Sequence, residues 1–530
     1  MKHRITQLAL AFGLAGLLAA APAHAQGQPK VIRAVMHAAL TNLDPIQTTA
    51  DITLLHGMMV YDTLFAWDQD LVVKPQMVDT YTLSKDKLTY TFKLRSGLKW
   101  HDGQPVKAED CVASLKRWWV RDNVGQRIAA LTTSLTAVDD NTFRLVLSEP
   151  FGYTLDALAK TGSNVAFMMP KRLAEIGPQE QIREAVGSGP FRFVREAWVP
   201  GSKTVYVKNE AYVPRQEPSS AAAGGKVARA DRVEWIVMPD QQTAQSALIN
   251  GEIDFIEAPQ ADFIPMLRQA KGTTVKTTVT YGNQGIIRLN HLQPPFDNVK
   301  ARQGMLALVD QETYLRAIIG DAAFYKVCPS LFLCGSSLQT KSGLSYGDQK
   351  SRVQAAKRLF QEAGYKGEPI VLLSPSDSPL SSGAALVTAQ LMREAGLNVD
   401  LKSMDWGAIV ARRPNKGKPS EGGWNIFFSN QSGMTASNPL TNLGLAANCE
   451  KAWFGWPCDS KIEELRKDFT KAETLDERRK IAQALQDRAE ETVPYVSFGQ
   501  WTQPTAYRSD KLSDVLVLPN FTAFWNIVVK

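Results

Sequence analysis

Between Val353 and Leu401 the hydrophobic period switches from helix to strand twice in succession, and that alternation limits the fold more than any other feature of the chain. Val353, Ala356, Leu359, Phe360 and Ala363 recur at helical spacing, and Gly364 ends the helix as a C-terminal cap. A β-like run, Pro369 to Ser374, follows. Leu386, Ala389 and Leu391 to Ala395 then form a second helix stopped by Gly396, and Leu397 to Leu401 makes another strand. Two helix-glycine-strand units in a row point to α/β layers with a largely parallel sheet.

Elsewhere the period is that of strands. Leu88, Tyr90, Phe92 and Leu94 alternate with polar residues after the turn-like Ser84 to Lys87, which predicts a β-hairpin within residues 77 to 95 with one buried face. Phe143, Leu145 and Leu147 repeat the pattern, so residues 56 to 181 read as a small sheet-containing domain with a helix near Glu109 to Trp119. Val31 to Ala39 is β-like until Asn42-Leu43-Asp44-Pro45 turns the chain, and a strand ending in a loop can present backbone to a ligand. Thr204 to Lys208 and Val233 to Met238 are further strands. Between them Ala211 to Ala230, with its prolines, serines, alanines and glycines, has no hydrophobic period and reads as a mobile surface loop. Asp459 to Thr492 is a helical region rich in Glu, Lys and Arg, broken at Pro494.

The N-terminus is a separate matter. Lys2 and Arg4 precede a 14-residue apolar run, Leu8 to Ala21, that ends in Ala23-His24-Ala25. This has the form of a secretory leader, residues 1–25, cleaved before Gln26. The run is shorter than the roughly 20 apolar residues a membrane-spanning helix needs. No cysteine follows it closely, so the exported protein is expected to be free rather than lipid-anchored. Removing Lys2 and Arg4 lowers the formal charge from +7 to +5. No run of five or more basic residues occurs, so the charge is a solvated surface rather than a nucleic-acid footprint.

Export permits disulfides, and the close spacings pair Cys328 with Cys334 and Cys449 with Cys458 as loop staples. Cys111 lies in a helix-like stretch and reads as a buried apolar residue. His37, His56, His101 and His291 stand too far apart for a zinc motif, and no metal or cofactor is expected. A Gly-x-Ser-x-Gly elbow, a phosphate loop, a His-Glu-x-x-His helix and a dinucleotide fingerprint are all absent, so no catalytic residue is assigned. Gly187-Ser188-Gly189-Pro190 reads as a tight turn starting a strand at Phe191, and His101-Asp102-Gly103 as a turn whose polar side chains satisfy amides.

Several stretches carry a resemblance in the right order. Tyr61-Asp62-Thr63-Leu64 and the long block from Leu88 to Pro105, including Gly97-Leu98-Lys99-Trp100-His101-Asp102-Gly103, come first. Gly187 to Phe191, Ala247-Leu248-Ile249-Asn250-Gly251-Glu252-Ile253-Asp254 and Pro294-Pro295-Phe296-Asp297-Asn298 follow. Together they resemble the family 5 extracellular solute-binding proteins, the peptide- and nickel-type binding components of ABC importers. The resemblance implies a two-lobed periplasmic-binding-protein fold, a hinged clamshell with an extra N-terminal inserted α+β domain. Carried onto this chain, lobe I combines 26–55, 182–281 and 495–530, the inserted domain is 56–181, and lobe II is 282–494. Crossovers between the lobes then fall near Tyr281 to Asn290 and near Tyr495 to Gln500.

It also implies a function: a monomer in the periplasm captures a small-molecule or peptide ligand and delivers it to an inner-membrane ABC permease whose ATPase is on other chains. In dipeptide-binding members an Asp receives the peptide ammonium and an Arg the carboxylate. The corresponding loops here, Ser429 to Pro439 and Ser374 to Pro379, lack that Asp and that Arg. An unpaired buried charge costs several kcal/mol, so the expected ligand is a neutral or cationic polar solute, or a longer peptide held by its backbone. Asn430, Gln431, Ser432 and Thr435 are its candidate hydrogen-bonding partners, with Asp377 meeting any positive group. Trp406, Trp424, Trp501 and Trp525 could stack on a ligand, Trp501 foremost because it follows the second crossover. His37 and Ala38 are candidate backbone contacts, while Asp405 reads as a helix cap. The alternatives are a metal-chelate or haem carrier, an exported hydrolase, and a ligand sensor that docks to a chemoreceptor.

Overall fold

In the computed structural model residues 29–530 are described, apart from 71, 163, 178, 278–281, 473 and 519–520. The expected leader, residues 1–25, lies outside the described residues. Gly364 and Gly396 take φ of 80° and 81°, the left-handed conformation that a glycine reaches without a Cβ clash. Each ends a helix that leads into a strand: Gln349–Glu362 into Ile370–Pro375, and Pro379–Glu394 into Val399–Met404. The two strands pair in parallel, Ile370 opposite Val399.

The sheet they join is mixed rather than largely parallel. Its order is Tyr325–Lys326, Val496–Trp501, Asn283–Leu289, Ile426–Ser432, Ile370–Pro375, Val399–Met404. Only the pairings of Ile370–Pro375 with its two neighbours are parallel. Parallel order is imposed where a helix returns the chain to the same end of the sheet. Asn283–Leu289 and Val496–Trp501 are not joined that way; both connect to the other large sheet.

That second sheet has seven strands, in the order Phe191–Phe193, Lys203–Lys208, Arg232–Ile236, Val31–Val35, Phe255–Ile256, Pro504–Arg508, Thr273–Thr277. Val31–Val35 is central, parallel to both neighbours, and Ile32 and Ala34 are fully buried. The chain passes between the sheets twice, after Thr277 and again at Thr502-Gln503. Both passages are displaced from the expected crossovers. Most of Tyr281 to Asn290 and of Tyr495 to Gln500 is strand, and residues 496–501 belong to the six-stranded sheet rather than with 26–55. Six of the seven residues in Asn283–Leu289 are buried.

A third sheet, wholly antiparallel, runs Val78–Leu83, Thr89–Leu94, Thr142–Leu147, Thr132–Ala137. Tyr90, Phe92, Leu94, Phe143, Leu145 and Leu147 supply its buried face. The Phe92 and Phe143 rings lie 5.0 Å apart, and burying a ring of this size contributes roughly 2–3 kcal/mol. The helix Ala108–Arg121 packs against this sheet with Cys111 buried and unbonded.

Two motifs of the sequence prove to be one brace. The backbone N–H of His101 donates to Gly187 O (2.8 Å), and the ring Nε2 lies 3.1 Å from Gly189 O. A Cβ at Gly187 would stand 2.1 Å from Val60 O, so the turn tolerates only glycine there. Asp102 bonds Gln104 N and pairs with Arg172 rather than with His101, and burial pulls the His101 ring down to about 4, leaving it neutral. Asp44 forms a second brace. Its carboxylate, fully buried, accepts from Arg117 Nη2 at 2.6 Å and from the backbone of Ile46 and Ile182.

The stretch 211–230 differs from its expectation as a mobile surface loop. Ala222, Ala223, Lys226 and Ala230 are buried, and the Lys226 ammonium sits 2.8 Å from the buried Asp62 carboxylate. Small residues let this segment pack without a hydrophobic period. Both expected disulfides are formed, Cys328–Cys334 and Cys449–Cys458.

Candidate functional site

A cavity of about 510 Å3 lies where the two large sheets face each other. Its position follows from topology, since strand ends and the loops after them gather beside the passages between sheets. From the seven-stranded side come His37, just after the central strand, Asp51 at the start of the helix Asp51–Val60, and Glu257, just after Phe255–Ile256. The other side contributes Asn283, Asn430 and Trp501 from three adjacent strands, with Asp377 and Arg316 at the rim. Phe521, Leu516 and Phe324 supply apolar wall.

Within this lining the charges are unevenly engaged. Glu257 accepts from the His37 backbone N–H (3.0 Å) and from Thr522 Oγ1 (3.1 Å), and it faces His37 Nδ1 at 2.8 Å. Burial works against a charged His37, but the charge and hydrogen bond of Glu257, with Asp51 behind it, hold the ring above its usual 6.5. A third of that side chain (33%) remains open to solvent, which weakens the effect. Burial pushes the Asp51 carboxyl up to about 6, aided by Glu257 and opposed by His37 and Arg413. The Asp51 carboxylate has no hydrogen-bond donor among the described residues. Arg413 is itself buried, with its guanidinium 4.8 Å from the Phe454 ring centre. It crosses from the six-stranded lobe to donate to Thr49 Oγ1 at 3.0 Å.

The residues singled out from sequence divide cleanly. His37, Asp377, Asn430 and Trp501 line the cavity. The Asn430 side chain makes no hydrogen bond among the described residues. Trp501 is 2% exposed, stacks on Phe498 at 5.6 Å, and its indole N–H has no acceptor among the described residues. Asp377 is partly committed, since it accepts the Trp406 N–H at 2.7 Å. His37 offers its ring rather than its backbone, whose N–H is taken by Glu257, and Ala38 packs against the core instead of lining the cavity.

Gln431 is a correction with a simple cause: neighbours on a strand point to opposite faces, so with Asn430 toward the cavity Gln431 faces inward. There its amide donates to Gln284 Oε1 (3.1 Å) and Asn442 Oδ1 (3.0 Å). Ser432 is spent on capping the short helix Gly433–Ala436 by accepting the Thr435 N–H, and the Ser432 and Thr435 hydroxyls bond each other at 3.0 Å. Trp424 is fully buried, donates to Arg413 O, and packs on Phe427 and Trp456. Trp525 is likewise core, whereas Asp405 caps Trp406–Arg412 through Ala408 N as expected. Asp51, Glu257, Asn283, Asp262 and Arg316 are among the lining residues that sequence reasoning missed. An acidic residue opening an apolar helix is too common a signal to single out Asp51.

Among the described residues no group of three or more His, Cys, Asp or Glu is gathered to hold a metal ion, and no helix is long and apolar enough to cross a membrane.

Comparison with known proteins agrees with this geometry. The family model for bacterial extracellular solute-binding proteins, family 5 (middle), matches residues 72–453. A probable peptide ABC transporter periplasmic-binding protein, y4tO of Sinorhizobium fredii, is 41% identical over 494 residues, covering 92% of each chain. The glutathione-binding protein GsiB of Pectobacterium atrosepticum is 25% identical, covering 91% of this chain and 90% of its own. Among solved structures, the oligopeptide-binding protein AppA of Bacillus subtilis in complex with a nonapeptide superposes with a TM-score of 0.78 at 17% identity, covering 95% of this chain and all (100%) of that one.

Proposed function

Because the chain belongs to the bacterial extracellular solute-binding proteins of family 5, we propose that the solute it captures is peptide-like and is held in the cavity between the two large sheets. The protein binds a solute and delivers it to an ABC importer. Capture takes place in the periplasm after the leader, residues 1–25, is removed, and the monomer then presents its closed form to an inner-membrane permease.

The observation that carries this reading is that Asp51 and Glu257 on one wall face Asn430 and Trp501 on the other. A ligand touching both walls stabilises the closed arrangement over the open one, and closure is driven only by such differential contacts. Unpaired polar groups at the site suit a peptide. The Trp501 N–H can donate to a backbone carbonyl, and the Asn430 and Asn283 amides can pair with a peptide unit in either sense. The 41% relative, named as a probable peptide ABC transporter periplasmic-binding protein, supports the same solute class.

Native mass spectrometry of the mature protein purified without denaturation tests the reading directly. Release of a stoichiometric peptide, or a rise in melting temperature with added peptides, is the expected result, since a ligand that binds only the folded form stabilises it. A retained non-peptide solute, together with peptides that leave the melting temperature unchanged, would overturn it.

A further inference from the structure

The ionic groups of the cavity are not equally free. Each positive group there is already engaged: His37 faces Glu257 at 2.8 Å, and Arg316, 72% exposed, pairs with Glu312 at 3.0 Å. Arg413, outside the lining, donates to Thr49 Oγ1 and feels the Asp51 charge without a direct ion pair among the described residues. Among the carboxylates Glu257 has its donors and Asp377 holds the Trp406 N–H. Asp51 and Asp262 both line the cavity with a carboxylate that has no hydrogen-bond donor among the described residues, but Asp262 is exposed whereas Asp51 is partly buried.

Resting on the reading that this cavity is the capture site, we propose that the solute carries a positively charged nitrogen and that the Asp51 carboxylate receives it. The argument is one of desolvation. Closing the lobes over an ionised, unpaired carboxylate is unfavourable, and a cationic nitrogen supplies the missing donor as a charge-assisted hydrogen bond. The lining itself offers an anionic solute no uncommitted cation. Burial has already raised the Asp51 carboxyl to about 6, as expected for a carboxylate short of partners. A second observation stands independently on the facing wall, where the buried Trp501 indole N–H has no acceptor among the described residues and the residue lines the same cavity. Together they describe a solute with an ammonium or guanidinium at one end and a hydrogen-bond acceptor such as a carbonyl within reach of the other wall. A peptide α-ammonium and a basic side chain share this chemistry.

Calorimetry and thermal shift on the mature protein, residues 26–530, separate these sources with five probes. They are the tripeptides Ala-Ala-Ala and Ala-Lys-Ala, each with a free or an acetylated N-terminus, and Ala-Glu-Ala with an acetylated N-terminus. The expected result is binding that needs a positive nitrogen, weakened roughly 10- to 100-fold by Asp51→Asn and recovered by Asp51→Glu. Dependence on the free N-terminus assigns the α-ammonium; dependence on lysine assigns the side chain. Melting of each ligand-free variant shows that the fold survives. Acetylated Ala-Ala-Ala or acetylated Ala-Glu-Ala binding as tightly as the cationic probes, or an unchanged affinity in Asp51→Asn, would overturn the proposal while leaving peptide capture intact. Failure of all five to bind would instead count against the peptide-like solute and remove this inference with it.

Discussion

Replacing Asp44 by alanine should be among the most damaging single substitutions outside the hydrophobic core. The carboxylate is fully buried and holds Arg117 Nη2 at 2.6 Å, with an Arg117 side chain only 1% exposed. It also accepts from Ile46 N (3.0 Å), Gln47 N (3.2 Å) and Ile182 N (3.1 Å). Stripping a buried ion of its partner costs about 3–5 kcal/mol. Arg117 keeps the carbonyls of Gly177 and Glu180, which lowers that figure, but two backbone donors at buried Ile46 and Ile182 lose their acceptor, each at about 1–3 kcal/mol. A net loss of at least about 4 kcal/mol is expected. Chemical denaturation followed by tryptophan fluorescence measures it, and a double-mutant cycle with Arg117→Met isolates the ion pair, whose coupling should reach about 2–3 kcal/mol. Because the turn at Asp44 leads directly into the helix that carries Asp51, solute affinity should fall in the same variant. A cost below about 1 kcal/mol, or additive effects of the two substitutions, would refute the claim that this pair braces the inserted sheet to the seven-stranded lobe.

Other outcomes can be checked alongside. Replacing Cys328 and Cys334 by serine opens a short loop whose Cys334 backbone bonds Gln500 near the second passage between sheets; closing so small a loop contributes about 2 kcal/mol, and a denaturation midpoint unchanged by the substitution or by reductant would contradict this. Trp501→Phe removes a buried N–H that has no acceptor, so ligand-free stability should stay within about 0.5 kcal/mol while affinity falls roughly 5- to 10-fold; equal affinity in isothermal titration would show that the indole does not touch the solute. Asp51, raised from 3.8 to about 6 in the folded protein, contributes stability that is present below its unfolded value and lost as pH rises through about 6. His37, raised above 6.5, acts with the same sign. Ligand-free Asp51→Asn should therefore gain on the wild type between pH 4 and about 7, whereas affinity for a cationic probe should rise over that range only in the wild type; parallel melting curves for the two would exclude this titration.

Local spacing made a good part of the molecule legible. The hairpin at residues 77–95, the helices ended by Gly364 and Gly396, the cap at Asp405 and both disulfides each depend on residues within a few turns or one short loop. The candidate site was only half legible. His37, Asp377, Asn430 and Trp501 are reachable as strand ends and loops, but Gln431 lies in a stretch that reads as a loop and folds as the end of a strand, on the face opposite Asn430. Trp424 was misplaced for a related reason: an indole suits a ligand wall and a core equally well.

The amino-acid sequence by itself therefore determined the elements and the family, since periodicity, caps and signature turns act over short separations. Tertiary structure alone decided that Asp51, Glu257 and Trp501 share one cavity. They lie far apart in the chain: pairing of Val31–Val35 with Phe255–Ile256 sets Glu257 on the wall that carries Asp51, and the passages between sheets bring Trp501 opposite them. Whether a carboxylate there is satisfied or left waiting depends on which donors the folded chain has already spent, and no local pattern records that.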